Sequence, residues 1–99
     1  MVSYLALGVY RSYVNSARKR GLVFALAFDE FKQLLLLPCA YCGQAAGGID
    51  RSDPVQGYTT ENSVPCCEHD NFAKQSLSRV DYLTHIQRVY NFQRGESHV

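Results

Sequence analysis

Over residues 4–20, apolar positions recur at threes and fours: Tyr4, Leu7, Val14 and Ala17, with Tyr10 or Arg11 between them, mark one face of a helix. Ser3 is placed to cap its start and Gly21 to end it, and Arg18, Lys19 and Arg20 in the last turn complement the negative pole of the helix dipole. Phe28, Phe31, Leu34 and Leu35 keep the period in a second, shorter helix, which Pro38 stops. The pattern then changes. Gly43, Gly47, Gly48, Pro54 and Gly57 interrupt a stretch whose short apolar runs centre on Ile49 and Val64, which predicts a two-stranded hairpin with a long loop. Helix returns over residues 68–75. Ser78-Arg79-Val80-Asp81 then reads as a capping box opening a last helix, with Leu77, Val80, Leu83, Ile86 and Val89 or Tyr90 along its inner face. The polar residues 94–99 are expected to fray. This order of elements predicts an α+β fold.

Composition narrows the class. Ninety-nine residues, 46% hydrophobic and 19% charged, have the apolar surface for one core and no room for a second, so disorder and a two-domain layout are both excluded. The expected layout is a single domain over 1–99, with N-terminal helices in 1–37, a cysteine-bearing centre in 38–76 and a C-terminal helix in 77–93. Ten Lys plus Arg against nine Asp plus Glu leave a net charge of +1, too balanced for binding nucleic acid by bulk charge. Any such contact must use a local patch. The apolar runs at 22–28 and 34–37 fall far short of the ~20 residues that span a bilayer, so no membrane contact is expected. Met1-Val2-Ser3-Tyr4 lacks a cationic leader ahead of an apolar run, and the expectation is a reducing cytoplasm.

In such a compartment the cysteines are better read as metal ligands than as disulfides. Cys39-x-x-Cys42 followed by Gly43 is one half of a zinc site, because the turn between the thiolates aims both sulfurs inward and glycine permits the tight backbone after it. The other half is Cys66-Cys67-Glu68-His69-Asp70, where a fourth thiolate is missing. Two pairings keep the spacing: Cys67 with Asp70, or Cys66 with His69. Ligand preference alone selects the histidine, since three thiolates and one imidazole are a usual structural set. The plain alternative is that all four cysteines are small buried hydrophobes. A metal staple suits a small core and weighs against it.

Several motifs in fixed order carry a resemblance. Cys39-Ala-Tyr-Cys42-Gly, Gly48-Ile-Asp50-Arg51-Ser-Asp53, Gly57-Tyr58-Thr59, Glu61-Asn62-Ser-Val64-Pro65-Cys66-Cys67, then Asn71 and Lys74, resemble the HNH endonucleases, and among them the phage-type subfamily with a zinc ribbon. The likeness covers roughly residues 10–90. It implies a ββα-metal (His-Me finger) core in which a hairpin and a short helix hold one divalent ion, Mg²⁺ or Mn²⁺, against a scissile phosphate, with a separate structural zinc and flanking N- and C-terminal helices. It further implies Asp50 and Asn71 as ligands of the catalytic ion, both through oxygens suited to Mg²⁺. Asn62 corresponds to the middle asparagine that ties the hairpin loop together. The family register makes Cys39, Cys42, Cys67 and Asp70 the zinc set, and it is followed over ligand preference because the fold fixes positions, with His69 as the alternative fourth ligand.

Arg51 departs from the family name. It stands where a histidine would take a proton from water, and a guanidinium stays protonated and cannot. The resemblance gives it the role of holding phosphate or stabilising developing charge. Another group must then activate the nucleophile, with Tyr58 favoured over His69 because it belongs to the hairpin loop. A phenol needs a neighbouring cation for that task. Taken singly, Asp50, Asp53 and Pro54 pass as turn formers, Asn62 as a loop cap and Asn71 as a helix-start residue. His85 and His98 carry no companion that suggests more than surface or core roles.

The expected function is metal-dependent hydrolysis of phosphodiester bonds in double-stranded DNA, with phosphate contacts from Arg11, Arg18, Lys19, Arg20, Lys74 and Arg79. One site per chain implies nicking unless two copies pair as a homodimer. The rival is a degenerate HNH domain that keeps the fold and binds nucleic acid or a protein partner as a zinc module. The resemblance points to a phage or bacterial mobile element as the source.

Overall fold

Two helices, a hairpin and two further helices follow one another: α1 (Ser3–Lys19), α2 (Phe28–Leu36), β1 (Gly48–Arg51), β2 (Ser63–Cys66), α3 (Glu68–Lys74) and α4 (Arg79–Gln93). The computed structural model describes residues 3–95. The capping role expected of Ser3 and the role of His98 lie outside what is described. Helix α1 ends as its sequence implies. Gly21 adopts a left-handed φ of 69°, its N–H donates to the Arg18 carbonyl, and the Leu22 N–H reaches back to the Ala17 carbonyl, the double closure of a Schellman motif. Helix α2 starts with the Glu30 carboxylate accepting from the Ala27 N–H, and stops before Pro38.

The core lies where α1 and α2 meet the hairpin. Ala17, Leu26, Phe31, Ile49 and Tyr58 are buried together, with Tyr10, Tyr13, Phe24 and Leu34 packed against them. Tyr10 meets Phe24, Phe28 and Phe31 edge-on with ring centroids 5.4, 5.2 and 5.3 Å away, and Tyr13 meets Phe31 at 5.4 Å and Tyr58 at 5.8 Å. These aromatic edges add directional attraction to the buried area. The inner face of α1 therefore runs through Ala6, Tyr10, Tyr13 and Ala17. Leu7 and Val14, expected there, are half-buried like the two tyrosines but are not among the residues packed on this core, and Arg11 is exposed.

The strands pair antiparallel with Gly48 opposite Cys66, Ile49 opposite Pro65, Asp50 opposite Val64 and Arg51 opposite Ser63. The loop between them is fastened at two points. Asn62 Oδ1 accepts from the Asp53 N–H at 2.8 Å, and its Nδ2 donates to the carbonyls of Asp53 and Gly57 at 3.0 and 2.9 Å. Tyr58 then bonds to the segment linking α1 and α2, its N–H donating to the Val23 carbonyl and its carbonyl accepting from the Ala25 N–H, both at 2.8 Å. This close pass requires glycine next door, since a Cβ on Gly57 would lie 2.4 Å from the Val23 carbonyl oxygen.

One expectation fails. Helix α4 begins as predicted, with Ser78 Oγ accepting from the Asp81 N–H at 3.1 Å, but Leu77, Val80, Leu83, Ile86, Val89 and Tyr90 are exposed. The buried residue of α4 is Tyr82. A helical period reveals an apolar stripe but not whether anything covers it, and here α4 docks through Tyr82 and leaves the stripe bare. Among the described residues no helix is long and apolar enough to cross a membrane.

Gly57→Ala is expected to destabilise the fold by about 2 kcal/mol or more, because backbone rather than a flexible side chain blocks the new methyl. Ile86→Ser on the bare stripe should stay within about 0.5 kcal/mol. Urea unfolding of the two variants reads both.

Candidate active site and metal centre

Four potential ligands converge beside the hairpin. One atom each of Cys39, Cys42, Cys67 and Asp70 lies within 4.8 Å of all the others, the grouping of this kind among the described residues. The first pair comes from the turn after α2, where the Gly43 N–H donates to the Cys39 carbonyl and Gly43 takes a φ of 80°. The second comes from the start of α3, where Cys67 is the N-cap and its sulfur accepts from the Asp70 N–H at 3.3 Å. Asp70 Oδ2 accepts from the thiols of Cys39 at 3.4 Å and Cys67 at 3.2 Å, and the Cys42 and Cys67 sulfurs are 3.7 Å apart. Three sulfurs and one carboxylate oxygen at this spacing suit tetrahedral zinc. Cys66, fully buried with its thiol donating to the Cys67 carbonyl, and His69, exposed on α3, lie outside the grouping. The grouping is the set that the family register implies, and His69, the alternative fourth ligand, lies outside it: one residue along a helix turns a side chain by about 100°, so Asp70 and His69 do not share a direction.

Proton affinities in the cluster fit a metal site. Burial raises the Asp70 carboxyl, but hydrogen bonds from Cys42, Tyr82, Cys67 and Cys39 outweigh it and hold the group down at about 2. Hydrogen bonding to Asp70 in turn pushes Cys42 up to about 12. Burial raises Cys39, and the backbone N–H groups of Cys67, Cys42 and Tyr41 more than reverse it. Without metal the Asp70 carboxylate is an anion and the Cys42 thiol keeps its proton. Zinc would take that proton's place.

A second centre opens on the other side of β1. Asp50, Arg51, Tyr58 and Asn71 line a cleft of about 540 Å³ together with Tyr13 and Arg20 from α1. Asp50 is buried and firmly held: Lys74 Nζ stands 3.1 Å from its Oδ2 and 3.4 Å from Oδ1, and the Tyr41 hydroxyl donates to Oδ2 at 2.7 Å. Lys74 also donates to the Arg51 carbonyl at 3.1 Å. At 1% exposure it is unavailable to DNA phosphates, which corrects its expected role as a contact. A buried carboxylate needs such a cation. Asn71 donates its Nδ2 to the Ile49 carbonyl at 3.2 Å, leaving its oxygen as the free end. Asp50 Oδ1, carrying only the long contact, and Asn71 Oδ1 are thus oxygens of the kind a hard cation takes.

Arg51 folds back onto the loop, donating to the carbonyls of Pro54 and Gln56 while its guanidinium lies 5.4 Å above the Tyr58 ring. The Tyr58 hydroxyl accepts from Arg20 Nη2 at 3.4 Å. Tyr13, which the sequence reading did not single out, also borders the cleft, but its hydroxyl is used by the Ile49 backbone, accepting from N–H at 3.1 Å and donating to C=O at 3.2 Å. Burial raises this phenol's pKa. His69 is not among the residues lining the cleft; it borders a separate depression with Glu68, Phe72 and Ala73. His85 sits on the surface of α4, 3.2 Å from Arg88 Nη2.

No family model matches the chain. The rare-cutting HNH restriction endonuclease PacI superposes with a TM-score of 0.68 over 93% of this chain and 82% of its own, at 19% sequence identity. The chain has the HNH endonuclease fold. Its hairpin followed by α3 is the ββα unit of that fold, and the Cys39, Cys42, Cys67 and Asp70 grouping beside it can hold a structural zinc. Uncharacterized protein R423 of Acanthamoeba polyphaga mimivirus is 37% identical over 71 residues, covering 67% of this chain. The chain spans 13% of that protein's length.

Purified protein is expected to contain about one zinc per chain by elemental analysis. Cys39→Ala should lose metal and melt at a markedly lower temperature, whereas Cys66→Ala should retain it. Asp70 is already ionised above about pH 2, so zinc competes with protons at the thiols alone. Affinity should fall as pH drops through neutrality, with no further step where carboxylates usually titrate; zinc release followed with a chromogenic chelator checks this.

Proposed function

We propose that this chain acts as a single HNH module that hydrolyses DNA phosphodiester bonds with Mg²⁺ or Mn²⁺, nicking one strand per site. The observation that carries this reading is the joint presence of Asp50, Arg51, Tyr58 and Asn71 on one open cleft. Asp50 and Asn71 would hold the divalent ion, which supplies neutralising charge to the scissile phosphate when bound. Arg51 can exchange its carbonyl partners for phosphate oxygens and stabilise charge as it develops. Tyr58, tied by its backbone to the segment after α1, offers the cleft an oxygen to take the proton of the attacking water. Asn62 maintains the loop that carries Arg51 and Tyr58 in register.

Charge on α1 supports DNA as the substrate. Ser12 and Ser16 line both the cleft and an adjoining groove that includes Arg11, Asn15 and Lys19, so donors suited to phosphate continue from the cleft along one helix face. With a net charge of +1 this local track replaces bulk attraction. A second reading, a degenerate HNH module that binds nucleic acid or protein without cutting, is favoured by one observation: both Asp50 oxygens already have proton donors in Lys74 and Tyr41.

Nicking of supercoiled plasmid separates the two. Asp50→Ala and Asn71→Ala should abolish divalent-dependent nicking with zinc retained, and Tyr58→Phe should slow it by about 10²-fold. Arg51→Ala should weaken both binding and turnover, whereas His69→Ala should cut like the parent. Nicking by Asp50→Ala at the parent rate would remove the metal assignment, and a parent that never nicks would favour the binding module.

A further inference from the structure

Tyr41 occupies the space between the two centres. It lies inside the Cys39-x-x-Cys42 turn, its N–H donates to Cys39 Sγ at 3.5 Å, and its hydroxyl donates to Asp50 Oδ2 at 2.7 Å. One residue thus touches a sulfur of the zinc set with its backbone and the cleft carboxylate with its side chain. Its ring packs edge-on against Tyr82 at a centroid distance of 5.4 Å, and the Tyr82 hydroxyl donates to Asp70 Oδ1 at 2.7 Å. Asp70 Oδ2 faces the thiols. The two tyrosines form a strut with one carboxylate of each centre at its ends.

The strut decides which oxygen Asp50 presents. Tyr41 and the shorter Lys74 contact both fall on Oδ2, and Oδ1 keeps only a 3.4 Å contact. A carboxylate whose Oδ2 is fixed in this way can offer Oδ1 alone, a single-oxygen ligand in a set direction. Helix α3 adds a parallel link, because consecutive residues Asp70 and Asn71 face the cluster and the cleft respectively. Hydrogen bonds and ring packing thus run without a break from the cluster to Asp50.

We infer that Tyr41, with Tyr82 behind it, is a positioning residue that couples the cysteine cluster to the cation-binding geometry of Asp50. The inference rests on the reading of Asp50 and Asn71 as ligands of the divalent ion. Hydrogen-bond partners behind a metal ligand commonly contribute about 10-fold or more to metal affinity, and coupling between two sites acts equally in both directions. Zinc in the cluster should favour the cation at Asp50, and a cation at Asp50 should be felt at the cluster.

The experiment uses the zinc-loaded chain and reads Mn²⁺ binding by electron paramagnetic resonance, independent of cleavage. Tyr41→Phe keeps the ring and removes the hydroxyl; it should weaken Mn²⁺ binding by about 10-fold with zinc content and melting temperature close to the parent's. Asp50→Asn should lose the site. A second arm loads the cluster with cadmium and follows its NMR resonance as Mg²⁺ is added. The resonance should move in the parent and stay fixed in Tyr41→Phe, and Tyr82→Phe should move less than the parent. If Asp50→Asn loses Mn²⁺ while Tyr41→Phe binds it with the parent's affinity, the inference alone is overturned. If Asp50→Asn binds Mn²⁺ like the parent, the cation site itself is misassigned and the inference falls with it.

Discussion

The convergence of Cys39, Cys42, Cys67 and Asp70 is the constraint on which the rest of this chain depends. These residues come from the turn after α2 and from the start of α3, segments joined otherwise by a hairpin of four-residue strands. A two-stranded sheet of that length is marginal in water by itself. The ligand set closes the chain around it, and Tyr82 extends the closure to α4 through Asp70. Metal and fold are coupled in such an arrangement, because the free energy of holding the ion is spent on ordering the loops that hold it.

The cleft depends on different physics. Its carboxylate is buried, and Lys74 and Tyr41 hold it in place where water would otherwise have solvated it. Asp50 therefore keeps one lightly used oxygen, Oδ1, a narrower offering than a surface aspartate makes. Tyr58 is held just as closely, by backbone bonds on both sides and by Gly57 passing against Val23. Arg51 differs, because its contacts are with loop carbonyls that water can replace. The fixed groups suit the holding of an ion and a proton acceptor, and the movable guanidinium suits a phosphate that arrives and leaves.

Helix α4 bears an apolar stripe that the rest of the fold does not cover. The helix is anchored at its first turns by Ser78, by the Arg79 N–H on the Ser52 carbonyl and by Tyr82, with the Arg79 guanidinium 5.5 Å from the Tyr41 ring. Its placement follows from these polar and aromatic contacts near the two centres rather than from burial of Leu83, Ile86 and its valines.

Much was legible in the residues alone. Helical periodicity and turn residues determined the element order and most boundaries, since apolar spacing, Gly21 and Pro38 act through local sterics and backbone hydrogen bonding. The spacing of Cys39 and Cys42 pointed to a metal half-site, and the resemblance to HNH endonucleases singled out Asp50, Asn62 and Asn71. Ligand chemistry left His69 and Asp70 both open and only the family register chose between them; the direction in which α3 leaves Cys67 is the physical reason that Asp70 joins the thiols. Tertiary structure alone decided the rest. Lys74, a plausible phosphate contact in sequence, is a buried counter-ion because the partner that claims it is 24 positions away on β1. Tyr41 and Tyr82 read as unremarkable aromatics until folding set their hydroxyls on two carboxylates, and the stripe on α4 promised a core contact that no local pattern can guarantee. Local geometry is written in adjacent residues, whereas charge partners and covered faces are settled only when distant segments meet.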